Sequence, residues 1–190
     1  MGFRICYIVS KLHPDELATE LNLQITGTED EMPVDDWWTA ALKSSGWSVL
    51  WSQDEEFAVR SRDLLAELSH KADLVHCEIN ETVMWSSAEW WSKGKSVWSI
   101  THAGDGEDRF DLRTEGELPT GFRDIKERRF LSQQVDGEVD HVFDIPVELV
   151  RFITGFRYDD YLEREFVDEF RVLQAPPKTG ILSRIFRRAG

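Results

Sequence analysis

The residues whose types could support catalysis are two glutamates, Glu78 and Glu89, which stand among tryptophans in the stretch from Ala72 to Glu115. Two carboxyl groups can flank a small ligand and act as general acid and base when one has a raised pKa beside aromatic walls. Any two glutamates on neighbouring strands would fit that description. The residue types therefore permit a hydrolytic site in this stretch without requiring one.

Two histidines of the same stretch, His76 and His102, are of the ligand type that zinc prefers, and Asp105 and Asp108 lie nearby. The strand pairing derived below places Trp85 between the two histidines, so that their backbones are about 10 Å apart. Zinc requires both ring nitrogens within about 2.1 Å of the ion. The sequence therefore predicts no metal site, and it gives no indication of a cofactor.

A predicted four-stranded antiparallel meander, over about residues 73–115, would position these side chains. Each of its turn signals separates runs rich in β-branched and aromatic residues, as hairpin turns do. The three signals are Asn80-Glu81, Lys93-Gly94 and Asp105-Gly106. When each is taken as a two-residue loop, the opposed pairs include Cys77 with Met84, His76 with Trp85, Trp90 with Val97, Trp85 with His102, and His102 with Arg109.

This pairing predicts one apolar face and one face that is both aromatic and charged, because side chains alternate between the faces of a strand. A one-residue slip at any turn would exchange the faces. The predicted core face holds Val75, Cys77, Ile79, Met84, Ala88, Trp90, Val97, Phe110 and Leu112. The opposite face holds His76, Glu78, Trp85, Glu89, Trp91, Trp98, His102, Arg109, Asp111 and Arg113.

The aromatic and charged face is a candidate binding surface. Tryptophans beside arginines could stack a planar ligand or anchor a protein partner, and Arg113 opposite Trp98 fits a cation–π pair. Leu74, Val83 and Ile100 on the same face favour the alternative, in which helices of the chain cover it. The predicted binding residues are His76, Trp85, Trp91, Trp98, His102, Arg109 and Arg113.

The composition is that of an acidic folded protein, with 22 Lys and Arg against 36 Asp and Glu, a net charge of −14. Such a charge repels nucleic acid and anionic membranes and favours basic partners, or it serves only to keep the protein in solution. The eight tryptophans and eleven phenylalanines argue against disorder. Stacking platforms for nucleic acid need a basic groove, which the sequence lacks.

The chain is predicted to form one domain over residues 1–175, followed by a flexible basic tail over residues 176–190. The tail segment Ile181 to Arg188 is amphipathic and could contact an acidic surface; a frayed terminus is the alternative. Cys6 and Cys77 lie in apolar runs, which suits buried, reduced thiols in the cytoplasm and indicates no activated nucleophile. We expect no integral membrane segment, because no apolar run approaches about 20 residues.

Outside the meander, the periodicity predicts an α+β domain, in which a mixed, mainly antiparallel sheet of five to six strands has helices on at least one face. The first three strands are expected to be parallel neighbours, joined by right-handed crossovers. Strands are predicted at Phe3 to Val9 and Trp47 to Ser52. Helices are predicted at His13 to Leu21, Asp35 to Leu42, Ser52 to Ser69, Thr120 to Gln134, Pro146 to Thr154 and Tyr158 to Phe170. As an alternative for the end of the last helix, Phe170 to Leu173 could form a strand.

The composition and the predicted face together favour a non-enzymatic binding or inhibitor protein, resembling a toxin-neutralising immunity protein only in its acidity and tryptophan anchors. It would capture a basic protein through the tryptophan-rich face. The alternative is a small-molecule-binding or hydrolytic enzyme that uses Glu78 and Glu89 beside Trp85 and Trp98.

Overall fold

The computed structural model describes residues 2–33, 36–104, 106, 108–160, 162 and 167–175. Within them the chain forms an α+β fold with nine strands and five helices. The strands are β1 (Arg4–Ser10), β2 (Gln24–Glu29), β3 (Trp37–Leu42), β4 (Trp47–Ser52), β5 (Leu74–Asn80), β6 (Trp85–Ser92), β7 (Lys95–Ala103), β8 (Leu112–Gly116) and β9 (Phe170–Gln174). The helices are α1 (Pro14–Glu20), α2 (Phe57–Arg60), α3 (Arg62–Leu68), α4 (Phe122–Val135) and α5 (Asp144–Thr154).

All nine strands belong to one sheet with the order β2-β9-β3-β4-β1-β5-β6-β7-β8. Every neighbouring pair is antiparallel. The predicted class is therefore confirmed, whereas five to six strands was too few. The expected parallel arrangement is wrong, because β1 lies between β4 and β5 and runs opposite to both.

The predicted helix from Asp35 to Leu42 is wrong over its described part, which forms strand β3. Trp37 faces one side of the sheet and Trp38 the other, and both are buried. A strand buried on both faces reads as a continuous apolar run, and periodicity cannot distinguish that run from a buried helix. Asp35, at which this helix was predicted to begin, lies outside the described residues.

Of the three turns in the meander, only Lys93-Gly94 is the two-residue loop that we expected. Ser92 pairs with Lys95 across it, and both loop residues have left-handed φ values of 53° and 79°, as a type I′ turn requires. The first loop has four residues, since Asn80 pairs with Trp85.

The third turn is also longer than predicted. His102 pairs with Leu112, so the connection between β7 and β8 spans residues 104–111; its Asp105 lies outside the described residues. Arg109, the expected partner of His102, is in this loop, and so is Phe110, which was expected in the core face.

A β-bulge at Val97 reverses the predicted faces of β7. Trp91 pairs with Ser96, whereas Trp90 pairs with Trp98, so Val97 is an extra residue between them. Val97 is consequently 42% exposed, and Trp98 is only 4% exposed. The one-residue shift moves Trp98 and all later residues of β7 to the opposite face from the one predicted.

Helices and loops cover both sides of the sheet. The α5 side packs Tyr7, Trp38, Cys77 and Ile100 against α5 and the segment Phe156–Tyr158, with Ile125 of α4 in the same cluster. The α3 side packs Cys6, Ile8, Leu50 and Trp91 against α1, α2 and α3. Over β7 and β8 the α3 side is open, because Ser99 and Thr101 are half-buried and Arg113 and Glu115 are exposed.

Of the other predicted helices and strands, some are confirmed by the structure and others are not. Strands β1 and β4, helices α1, α4 and α5, and the alternative strand at the position of β9 are confirmed. The helix predicted from Ser52 starts only at Phe57, without a side-chain cap, and is interrupted at Ser61. Of the helix predicted from Tyr158, residues 161 and 163–166 lie outside the described part, and the described remainder is not helical. Among the described helices, none combines the length and apolar composition that crossing a bilayer requires.

Substitution of Trp38 by alanine should be severely destabilising. Its ring is fully buried, stacks on Trp51 with centroids 5.6 Å apart, and meets Phe156 and Phe170 edge-on. We expect Trp38→Ala to lower the free energy of unfolding by about 3–5 kcal/mol, measured by urea denaturation. Trp85→Ala, at a half-buried site, is the control and should cost below about 2 kcal/mol. Equal losses would contradict this account of the core.

Candidate functional site

The predicted binding residues do not share an exposed face. His76, Trp91, Trp98 and His102 are buried. His102 and Trp98 lie on the α5 side with Ser86 and Trp90, whereas His76 and Trp91 lie on the α3 side. Only Trp85, Arg109 and Arg113 keep substantial exposure. The binding role of these residues stays a prediction, but the common surface on which it depended is not formed.

The expected cation–π pair of Arg113 with Trp98 is also not formed, since Trp98 and Arg113 occupy opposite sides of the sheet. A different arginine, Arg62 of α3, lies over the Trp91 ring with its guanidinium carbon 4.7 Å from the ring centroid. It therefore helps to hold α3 on the sheet.

Arg62 also binds the first predicted catalytic carboxylate, Glu89. Two guanidinium nitrogens donate to the two carboxylate oxygens at 2.9 Å each, the bidentate geometry that makes such pairs strong. His76 is the cross-strand neighbour of Glu89, with Nε2 at 3.7 Å from the nearer oxygen. Burial lowers the pKa of His76 to about 4, so the imidazole is neutral at neutral pH and Arg62 supplies the positive charge beside Glu89.

The second predicted carboxylate, Glu78, has a different environment. It is 3% exposed, and one oxygen accepts a hydrogen bond from the Ser87 hydroxyl at 3.2 Å. Its other oxygen, Oε1, is buried and has no hydrogen-bond partner among the described residues. Burial raises the pKa of Glu78 to about 7. The two glutamates therefore differ in environment: burial raises the pKa of Glu78, whereas Glu89 is bound by the guanidinium of Arg62.

Cross-strand pairing extends this polar cluster into a row across the α3 side. Cys6, Glu78, Ser87, Thr101 and Arg113 are successive neighbours on β1, β5, β6, β7 and β8. The row begins under the helices and ends in solvent, because Cys6 is fully buried and Arg113 is exposed. Substrate access to Glu78 would require α2 and α3 to move.

The second predicted histidine, His102, is buried and holds neighbouring segments of the chain together through both of its ring nitrogens. Its Nδ1 lies 2.6 Å from the carbonyl oxygen of Asp111, and its Nε2 lies 3.0 Å from Oδ2 of Asp140. Burial alone would lower the pKa of His102, but these two acceptors raise it above its ordinary value. Asp140 accepts in addition from the amides of Val142 and Phe143. The pair thus ties β7 to the loop between β7 and β8 and to the connection that precedes α5.

A metal between His76 and His102 is geometrically impossible, since the two side chains point to opposite sides of the sheet. In the part of the chain that the structure describes, no group of three or more His, Cys, Asp or Glu residues is arranged to hold a metal ion. The cysteines are free and buried, and burial raises the pKa of Cys77 to about 12.

Two surface grooves of about 730 and 540 Å³ lie along α4, away from the carboxylates. The larger one is lined by the exposed apolar residues Leu131 and Val135 together with charged residues such as Asp124 and Arg128. The described grooves therefore do not place a small molecule against Glu78 or Glu89.

The remaining candidate is the acidic edge, which we define as strand β2, whose last residue is Glu29, together with Asp30 and Glu31, which follow it. Strand β2 is the first strand of the sheet and pairs with β9 alone. All of its residues except Ile25 are exposed. Across the described residues, no base forms an ion pair with Glu29 or Glu31. The acidic edge therefore offers unpaired backbone groups beside these two carboxylates.

No strand was predicted at the position of β2. The missed signal is the alternation of Ile25 with Thr26 and Thr28, which Gly27 and the following acids obscure. Sequence reasoning also missed Arg62, since nothing local to α3 indicates that its guanidinium reaches a carboxylate on β6.

Comparisons of the chain with protein-family models, with curated proteins and with solved structures found no match. The function is therefore argued from the geometry of this molecule.

The pH dependence of stability should reveal the buried carboxyl group of Glu78. Its pKa of about 7 in the folded state exceeds the value of about 4.3 expected when unfolded. The contribution of this group to stability is therefore fully present below about pH 4.3, decreases as the pH rises from there through 7, and is smaller by about 4 kcal/mol well above pH 7.

The measurement is urea denaturation of the wild type and Glu78→Gln between pH 5 and 8. The wild type should lose roughly 2–3 kcal/mol relative to the variant across this range. His76 titrates with the opposite sign, but both proteins contain it, so its effect cancels in the difference. A difference in stability that is independent of pH would contradict the assigned environment of Glu78.

Proposed function

We propose that this chain is a non-enzymatic binding protein that captures a basic protein partner at its acidic edge. The observation that carries the proposal is that Glu29 ends, and Glu31 follows, the strand whose outer edge is unpaired, and that neither carboxylate forms an ion pair among the described residues. An extended segment of a partner can add to such an edge through main-chain hydrogen bonds. Lysine or arginine side chains of that segment would then meet Glu29 and Glu31.

The charge of the whole protein supports this partner class. A net charge of −14 attracts cationic proteins over distances of about a Debye length, some 8 Å at physiological salt, and accelerates their association. Strand addition then supplies contacts that do not depend on salt. The partner should therefore bind faster at low ionic strength while keeping part of its affinity at high ionic strength.

This surface differs from the tryptophan face that the sequence indicated, because Trp91 and Trp98 are buried in the two cores. The net charge still favours a basic partner, but we now place the binding surface at the edge of the sheet. The inhibitor or immunity-like role and the cytoplasmic location remain predictions from the sequence.

Charge reversal should separate the acidic edge from the overall charge. We expect Glu29→Lys/Glu31→Lys to weaken binding about tenfold. Asp63→Lys/Glu67→Lys, on the exposed surface of α3, changes the net charge equally and should weaken it less than about threefold. The probe is a synthetic peptide of alternating lysine and valine, with affinity measured by calorimetry and the contact mapped by amide chemical shifts.

Two outcomes would contradict the proposal. Equal weakening by both double variants would show that only the net charge matters. Shift changes that avoid β2 would place the contact elsewhere. Co-purification at low salt from the native source, with the same pair of variants as bait, then extends the test to the natural partner.

A second candidate function is hydrolysis by Glu78 and Glu89, favoured by their contrasting environments. Pairs of carboxyl groups whose surroundings separate their protonation states are the arrangement that acid and base roles require. This candidate predicts hydrolysis of chromogenic esters or glycosides by the wild type, and its loss in both Glu78→Gln and Glu89→Gln. The measurement is a substrate panel followed by absorbance; no turnover by the wild type, or turnover that survives both substitutions, would remove the candidate.

A further inference from the structure

The opposite edge of the sheet, strand β8, has a charge pattern that β2 lacks. Strand β8 is the last strand in the order and pairs with β7 alone. Its residues from Arg113 to Gly116 are all exposed. It contains no proline, lysine or register shift, which are common devices that protect sheet edges from pairing.

The two charged residues of β8, Arg113 and Glu115, project from the same side of the sheet, since they are two positions apart on one strand. Their neighbours on β7 are Thr101 and Ser99. This is the open part of the α3 side, so both charges reach solvent; the Arg113 side chain is 77% exposed. Arg113 also forms an ion pair with Asp111, with the two atoms 3.0 Å apart.

From this pattern we infer that β8 is an interface at which a second copy of the chain pairs antiparallel with the first and extends the sheet across a two-fold axis through Thr114. In that register Arg113 of each copy faces Glu115 of the other, and Leu112 faces Gly116. Opposed residues on antiparallel strands have Cβ atoms about 4.5–5.5 Å apart, close enough for two reciprocal ion pairs.

The charges also select this register from its neighbours. A two-fold axis perpendicular to the sheet keeps the same side of the sheet facing up in both copies. Residues that oppose each other across the axis must therefore point to the same side, which requires that their numbers differ by an even number. Moving the axis to Arg113 would place the two arginines opposite each other, and moving it to Glu115 would do the same with the glutamates. Both are destabilising. Strand β2 contains no base, so no register gives it such pairs.

The expected dimer is weak. A pair of five-residue strands buries less area than the roughly 1,000 Å² typical of stable interfaces, and each copy carries a charge of −14. Association should therefore occur at high micromolar protein and strengthen with moderate salt, which screens the overall repulsion more than the close pairs. The interface is distant in the sheet order from the acidic edge, and the test needs no partner, so it can fail independently of the proposed function.

Charge exchange provides the test, by sedimentation velocity of the full chain over a concentration series. We expect the wild type to dimerise. Arg113→Glu and Glu115→Arg should each weaken dimerisation on the order of tenfold, because each replaces two attractive pairs by two repulsive ones. The double variant Arg113→Glu/Glu115→Arg should recover the wild-type dimer constant, since the pairs are restored with reversed signs.

A cysteine cross-link tests the axis directly. Thr114→Cys should give a disulfide-linked dimer on mild oxidation, since the two copies of this residue oppose each other at the axis. Leu112→Cys, two positions away, is the matched control and should not cross-link, while the native Cys6 and Cys77 are buried. A monomeric wild type at the highest concentration overturns the inference. A dimer that single charge reversals leave intact, or that fails to cross-link through residue 114, overturns it as well.

Discussion

The part of the chain that the structure describes forms one open antiparallel sheet of nine strands, and this sheet imposes the main constraint on the molecule, because both faces of its central strands must be buried and both of its edges remain unpaired. The central strand β1 shows the first requirement. Its successive residues from Ile5 to Val9 are all buried, alternately against the α5 side and the α3 side. The second requirement leaves β2 and β8 with unpaired backbone groups, and these edges are where the described part of the chain offers main-chain contacts to other molecules.

The two edges differ in charge, and that difference separates their proposed roles. Strand β2 ends in Glu29 and leads into Asp30 and Glu31, which suit a basic partner and oppose self-association. Strand β8 carries one arginine and one glutamate on the same side, which suits a second copy of itself. In both cases strand pairing would supply the contact and charge would select the partner.

Many of the polar side chains inside the molecule are held by hydrogen bonds, ion pairs or ring contacts with other residues. Arg62 covers Trp91 and binds Glu89, and His102 joins Asp140 to the carbonyl of Asp111. Glu78 is one of several exceptions: among the described residues, one of its oxygens is buried without a hydrogen-bond partner, as are the indole nitrogens of Trp38, Trp51 and Trp91. A protonated carboxyl group resolves much of the cost of that burial, which is why its environment is visible as a pKa of about 7.

The sequence by itself determined the α+β class, the strands at β1, β4 and most of the meander, and the acidic character, because each of these follows from local alternation, turn residues or composition. The tight turn at Lys93-Gly94 is one such local feature. Only the tertiary structure decided the bulge at Val97, which sends Trp98 and His102 to the opposite side from His76. An extra residue in a strand costs little locally and is selected by what the two cores can pack. The helix-like run at β3 and the reach of Arg62 to Glu89 are non-local in the same sense, since their partners are distant in the chain and adjacent only in the folded sheet.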